Sequence, residues 1–155
     1  MHRQIDEPLD TVDLNGAKVT FVAMDSGTPY SLTEWDLQVG YQGPPIHIHH
    51  EADEGFYVME GHASFVLDGF TTVGKPGTHV LVPKGHTHSF WNAGVRPARF
   101  LCIISPAGFE QYFRELAGKM VAIKAKEDSI ELRKKLSARY DIEVVGPPPG
   151  LPRQG

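Results

Sequence analysis

Between residues 16 and 104 the chain alternates apolar and polar positions in short runs. AKVTFVAM (17–24), SLTEWDLQV (31–39), GFYVMEG (55–61), HASFVLDG (62–69), THVLVP (78–83), HSFWNAG (88–94) and ARFLCII (98–104) are rich in β-branched and aromatic residues, as strands are. GTP, GPP, DG, KPG, PKG and NAG punctuate them as turns. Short strands at even spacing predict a sandwich or barrel rather than alternating β and α units. The pattern then changes. Ser105-Pro106 is expected to open a helix, with a capping hydroxyl and proline in the first turn. Phe109, Phe113, Leu116 and Met120 follow at helical spacing, with Gly118 near the end. A second helix is expected from Asp128, with Glu131 as capping-box partner and Leu132, Leu136 and Tyr140 as its apolar stripe. Both stripes read as packing faces against the barrel or a neighbouring subunit. The tail VVGPPPGLPRQG reads as an extended arm or a disordered end. One domain over 1–155 is expected, with a barrel core at about 16–104, helices at about 106–141 and the tail at 146–155.

Composition narrows the class. A chain of 155 residues that is 41% hydrophobic and 22% charged can bury a core without disulfides or other cross-links. The net charge of −4 leaves no electrostatic footprint for nucleic acid. The opening MHRQIDEPLD has no apolar signal core, and nothing approaches the ~20 apolar residues of a membrane helix, so no membrane partner and a cytoplasmic location are expected. The single cysteine, Cys102, lies in the apolar run ARFLCIISP and reads as an inert core thiol.

The histidines change the picture. Seven of the eight fall between positions 47 and 88, three of them in PIHIHHEADEGFYVMEG (45–61). His47 and His49 are two apart, so in a strand both point to one face, which must be the interior if they share an ion. Glu54 opens the next strand and can fold back over them. A group from a distant strand is needed to surround an ion, and His88, opening HSFWN, is the candidate. Imidazoles with one carboxylate suit a divalent Fe, Mn, Co, Ni, Cu or Zn ion. His50 points away from His49 and reads as a surface or supporting residue. His86 is a weaker rival of His88, Glu51 and Asp53 are rivals of Glu54, and His62 and His79 read as ordinary strand residues.

These positions resemble the two sequence motifs of the cupin superfamily. The first reads His47-x-His49, four residues, Glu54, six residues, Gly61. The second reads Gly77, five residues, Pro83-x-Gly85, two residues, His88, three residues, Asn92, and fifteen residues separate the motifs. One position departs: Tyr41 stands where the family has its leading glycine, between Gly40 and Gly43. The resemblance implies an all-β cupin, a jelly-roll-like barrel with C-terminal helices added, holding one transition-metal ion on His47, His49, Glu54 and His88.

PPIHIHHEADEGFYVMEG, PKGHTHSFWNAG and SPAGFEQYF look most like the quercetin 2,3-dioxygenase-like group. That likeness implies a dioxygenase taking dioxygen and a flavonol-like or other enolisable aromatic, with Glu54 both metal ligand and catalytic proton acceptor. The alternatives are an isomerase, cyclase or decarboxylase using the ion as a Lewis acid, and a non-catalytic binding cupin; a transcriptional sensor is disfavoured because no helix-turn-helix flanks the barrel. Phe56, Val58, Phe65, Val80, Val82, Phe90 and Trp35 are the candidate pocket lining, though each would serve equally as core. A homodimer is expected, as is common among small cupins.

Overall fold

The computed structural model describes residues 10–23, 29–121 and 126–152, the side chains of 126–130 excepted. Two antiparallel sheets enclose one core. The first runs β1 (Thr11–Asp13), β2 (Ala17–Ala23), β3 (Ser31–Leu37), β10 (Ala98–Ser105), β5 (Asp53–Glu60), β8 (His79–Val82). The second runs β11 (Glu143–Gly146), β4 (Ile46–Ile48), β9 (His88–Trp91), β6 (Ala63–Leu67), β7 (Phe70–Gly74). Two helices, α1 (Glu110–Met120) and α2 (Lys126–Ser137), separate β10 from β11.

The period of two decides which residues enter the core. In β3, Ser31, Thr33, Trp35 and Leu37 are buried; in β10, Ala98, Phe100, Cys102 and Ile104; in β5, Glu54, Phe56 and Val58. Register places Phe56 opposite Cys102 and Val58 opposite Phe100. From the other sheet, Phe65 and Phe90, themselves a register pair, close on these rings. Phe56 meets Phe65 at 5.3 Å between centroids, and Phe90 meets Phe100 edge-on at 5.1 Å. Each such ring stabilises the fold by about 2–3 kcal/mol through burial, with a smaller gain from edge-to-face geometry.

Two turns explain local choices. Asp68 and Gly69 have φ of 48° and 82°, the left-handed pair of a two-residue hairpin, and they join β6 to β7. At Gly61, φ is 66° and an added Cβ would lie 2.2 Å from the Pro97 carbonyl oxygen, so only glycine fits.

Three expectations need correction. No helix starts at Ser105-Pro106: Ser105 ends β10, its hydroxyl donates to the Pro29 carbonyl, and α1 begins at Glu110. The Glu110 carboxylate accepts from the Gly108 N–H and ties the helix start to the loop before it. The second helix begins at Lys126, two residues before Asp128. Of the two readings of the C-terminal segment, the extended arm holds and the disordered end does not through residue 152: β11 pairs with β4, and the Gly150 N–H donates to the Gln42 carbonyl. Residues 153–155 of the expected tail lie outside the described residues. The strands β1 and β7 were not expected; Phe70 and Val73 are exposed, so β7 has no apolar face to betray it. Among the described residues no helix is long and apolar enough to cross a membrane.

Candidate metal centre

Strand pairing assembles the site. His47 in β4 stands directly opposite His88 in β9, and Glu54 in β5 projects from the facing sheet. His49 follows β4 with its ring on the same side as His47, and the four donor groups all lie within 4.8 Å of one another. All four residues are buried. The expected set is thus brought together.

The imidazoles share an orientation. His47 Nδ1 donates to the Pro45 carbonyl at 2.7 Å, His49 Nδ1 to the Asp141 carbonyl at 2.5 Å, and His88 Nδ1 to the His86 carbonyl at 3.2 Å. A carbonyl only accepts, so each Nδ1 carries its proton and each Nε2 turns its lone pair toward the centre. Around Glu54 Oε2 stand His88 Nε2 at 2.7 Å and His49 Nε2 at 3.3 Å. Lone pairs cannot face a carboxylate oxygen this closely without positive charge between them. In the apoprotein a proton supplies it; a divalent cation would replace that proton, and the donor set fits one.

Electrostatics follow from this geometry. Burial, with the neighbouring His88 and His49, pushes His47 from 6.5 down to about 3, which keeps it neutral. Burial also pulls His49 down, but hydrogen bonding and charge from Glu54, with help from Asp141, outweigh it and raise the net value. Burial alone would raise Glu54; hydrogen bonds from His49 and His88 overcome it and hold the carboxyl well below its ordinary range.

Two supporting residues escaped sequence reasoning. The Cys102 thiol donates to Glu54 Oε1 at 3.0 Å, and burial together with the Glu54 charge pushes its pKa well up, so it remains a donor. The Asp141 carboxylate accepts from the backbone N–H groups of His50 (2.7 Å), Glu51 (2.9 Å) and Ala52 (3.0 Å) and shapes the loop between His49 and Glu54. The rival residues all face outward. His50 pairs with Glu143 and His86 with Asp68, the Asp53 carboxylate accepts from the Lys84 N–H, and Glu51, His62 and His79 are exposed.

A narrow cavity leads from the cluster, with His47, His49 and Glu54 in its wall. Of the expected lining only Trp35 and Phe90 reach it; Phe56, Val58, Phe65 and Val82 pack within the core. Tyr41, Phe109, Tyr112 and Phe113 supply the other rings, and Phe109 stands edge-on to His49 at 4.8 Å. The apolar stripe of α1 therefore lines the site as well as packing. Tyr41, the departure from the cupin motif, is part of this wall, while Gly40 and Gly43 hold the turn at φ of 77° and 86°.

The sequence model of the cupin domain matches residues 33–104, the span that holds all four clustered residues. The fold is that of a cupin. Among solved structures this chain is similar to an RmlC-like cupin from Shewanella frigidimarina, with a TM-score of 0.62 and 19% identity over 72% of this chain and 96% of that one. A sugar phosphate isomerase of the cupin superfamily from Silicibacter pomeroyi is 26% identical, with a TM-score of 0.53 over 58% of this chain and 59% of that one. The oxidoreductase iacF of Pestalotiopsis fici is 37% identical over 57 residues, 36% of this chain and 28% of iacF. The chain spans less than two thirds of the length of the curated relatives it matches.

Proposed function

We propose that this cupin is a metal-dependent dioxygenase acting on an enolisable aromatic of the flavonol type. The observation that carries the reading is the buried cluster of three imidazoles and one carboxylate opening onto a cavity walled by aromatic rings. His47, His49, His88 and Glu54 hold one divalent ion. When bound, the ion supplies a Lewis acid that lowers the pKa of the substrate's enol and, where it is redox-active, access to dioxygen.

The chain's own residues do the rest. Glu54, ionised at neutral pH, takes the enol proton on Oε2 while the Cys102 thiol anchors Oε1. Trp35, Phe90 and Phe109 present ring surface to an aromatic substrate and keep bulk water out. The inner cavity has about 30 Å³ of free space, room for dioxygen or a water. A ring-sized substrate therefore needs side chains at its mouth to turn aside. Similarity to an enzyme called an oxidoreductase, iacF, agrees with the reading.

Similarity to a sugar phosphate isomerase favours a second reading, in which the ion acts only as a Lewis acid. Oxygen uptake separates them. Metal-free protein reloaded with Fe, Mn, Co, Ni, Cu or Zn is offered flavonols and other enolisable aromatics in an oxygen electrode. The dioxygenase reading expects uptake that needs a redox-active ion and is lost in Glu54→Gln. Conversion without uptake, with zinc as good as iron, assigns the second reading, because zinc has no redox chemistry of its own.

A further inference from the structure

Arg133, on α2, is 8% exposed and lines two adjoining spaces. One is the inner cavity beside His47, His49 and Glu54. The other is an outer cavity of about 190 Å³ whose polar lining includes Asn15 and Gln42. Leu14, Tyr41, Pro45 and Arg133 belong to both, so they form the neck between them.

A guanidinium this buried normally faces a carboxylate. Here, among the described residues, Arg133 forms no ion pair, although the less buried Arg99, Arg114 and Arg139 all do. Its partners are neutral: it donates to Met120 Sδ at 3.8 Å and to the Tyr112 hydroxyl, and its charge also acts on the Tyr41 hydroxyl. An arginine offers five donors in a planar fork, far more than a thioether and hydroxyls use. Among the described residues no fully buried side-chain nitrogen lacks a partner, so any guanidinium nitrogen of Arg133 without one is accessible, and Arg133 lines both cavities.

Resting on the reading of the metal centre above, we propose that Arg133 receives a carboxylate carried by the substrate, so that the cupin acts on an aromatic acid. The acid's carboxylate sits in the neck and its enolisable end reaches inward to Glu54. One guanidinium balances one carboxylate charge; a phosphate dianion would keep a charge uncompensated in a buried place. The outer cavity holds what the 30 Å³ inner space does not admit.

Binding tests this without turnover. Chelator-treated, metal-free protein is titrated with benzoate, benzamide and phenyl phosphate, read by calorimetry and by tryptophan fluorescence. Metal-free protein is used so that the ion itself cannot hold the anion. Benzoate is expected to bind about tenfold or more tightly than its neutral amide, as a charge-assisted bidentate pair should. Arg133→Gln is expected to lose that preference, with Arg133→Lys between the two. Equal affinity for benzoate and benzamide in the wild type overturns the proposal whether or not either variant folds. So does a Gln variant that keeps the wild-type preference, or phenyl phosphate binding about tenfold better than benzoate. Neither dioxygen nor the ion enters this readout, so failure of the dioxygenase reading and failure of the carboxylate site are told apart.

Discussion

Single residues around the cluster act through hydrogen bonds that a spacing pattern does not contain. Cys102 illustrates this. Its position in an apolar run makes it a core thiol, and it is fully buried, but its S–H donates to Glu54 Oε1. The thiol is in turn backed by a local network, with Thr33 Oγ1 donating to the Cys102 carbonyl at 3.4 Å and Trp35 Nε1 donating to Thr33 Oγ1 at 3.0 Å. Removing the thiol frees the carboxylate to rotate. Cys102→Ala should weaken metal affinity by about 10- to 100-fold, the usual cost of losing a partner behind a ligand, while Cys102→Ser, which keeps a donor, should lose less. Competition with a chelating dye measures both. Equal affinities in all three proteins would show that Glu54 needs no anchor.

At the scale of elements, the ligand loop depends on a strand far away in sequence. β11 pairs with β4, and Asp141, just before it, accepts three backbone N–H groups from residues 50–52 and the His49 ring through its carbonyl. Asp141→Ala removes the three carboxylate bonds and retains the carbonyl. The partly exposed loop N–H groups can turn to water, so the expected loss of stability is about 1–3 kcal/mol, and the larger effect is on metal content, which should fall as His49 loses its fixed orientation. Equilibrium unfolding and metal analysis after dialysis check the two separately. Unchanged metal content with a looser loop would mean that β4 alone positions His49. Little of this was legible beforehand: VVG is short, half-exposed and followed by prolines, and its partner lies about a hundred residues upstream. The helix start failed for a related reason, since Ser105 has capping chemistry but is used to finish an eight-residue strand.

Across the whole molecule, the three titrating site residues couple folding to pH in different windows. The folded metal-free protein refuses a proton on His47 until about pH 3, whereas the unfolded chain binds it below 6.5, so stability rises with pH across that window. Glu54, held well below 4.5, adds the same sign further into acid. His49 has the opposite sign: its raised pKa contributes stability below 6.5 that is lost as the pH rises through the folded value. Metal-free protein should therefore melt highest near pH 6.5. With the ion bound, the His49 proton is displaced, so the alkaline decline should vanish and the acid limb steepen as protons compete for the ligands. Thermal midpoints of both forms between about pH 4 and 8 read this directly; a metal-free profile flat on the acid side would deny His47 its neutral buried state. The sequence by itself determined most of the barrel strands and the four clustered residues, because a period of two and a fixed motif spacing survive in one dimension. Only the tertiary structure decided what surrounds them. Tyr41, Phe109, Arg133 and Asp141 come from four separate segments, and no local pattern says that α1, α2 and the segment before β11 close over one end of the barrel. The donors could be read from spacing, but the pocket arises from long-range packing that spacing does not encode.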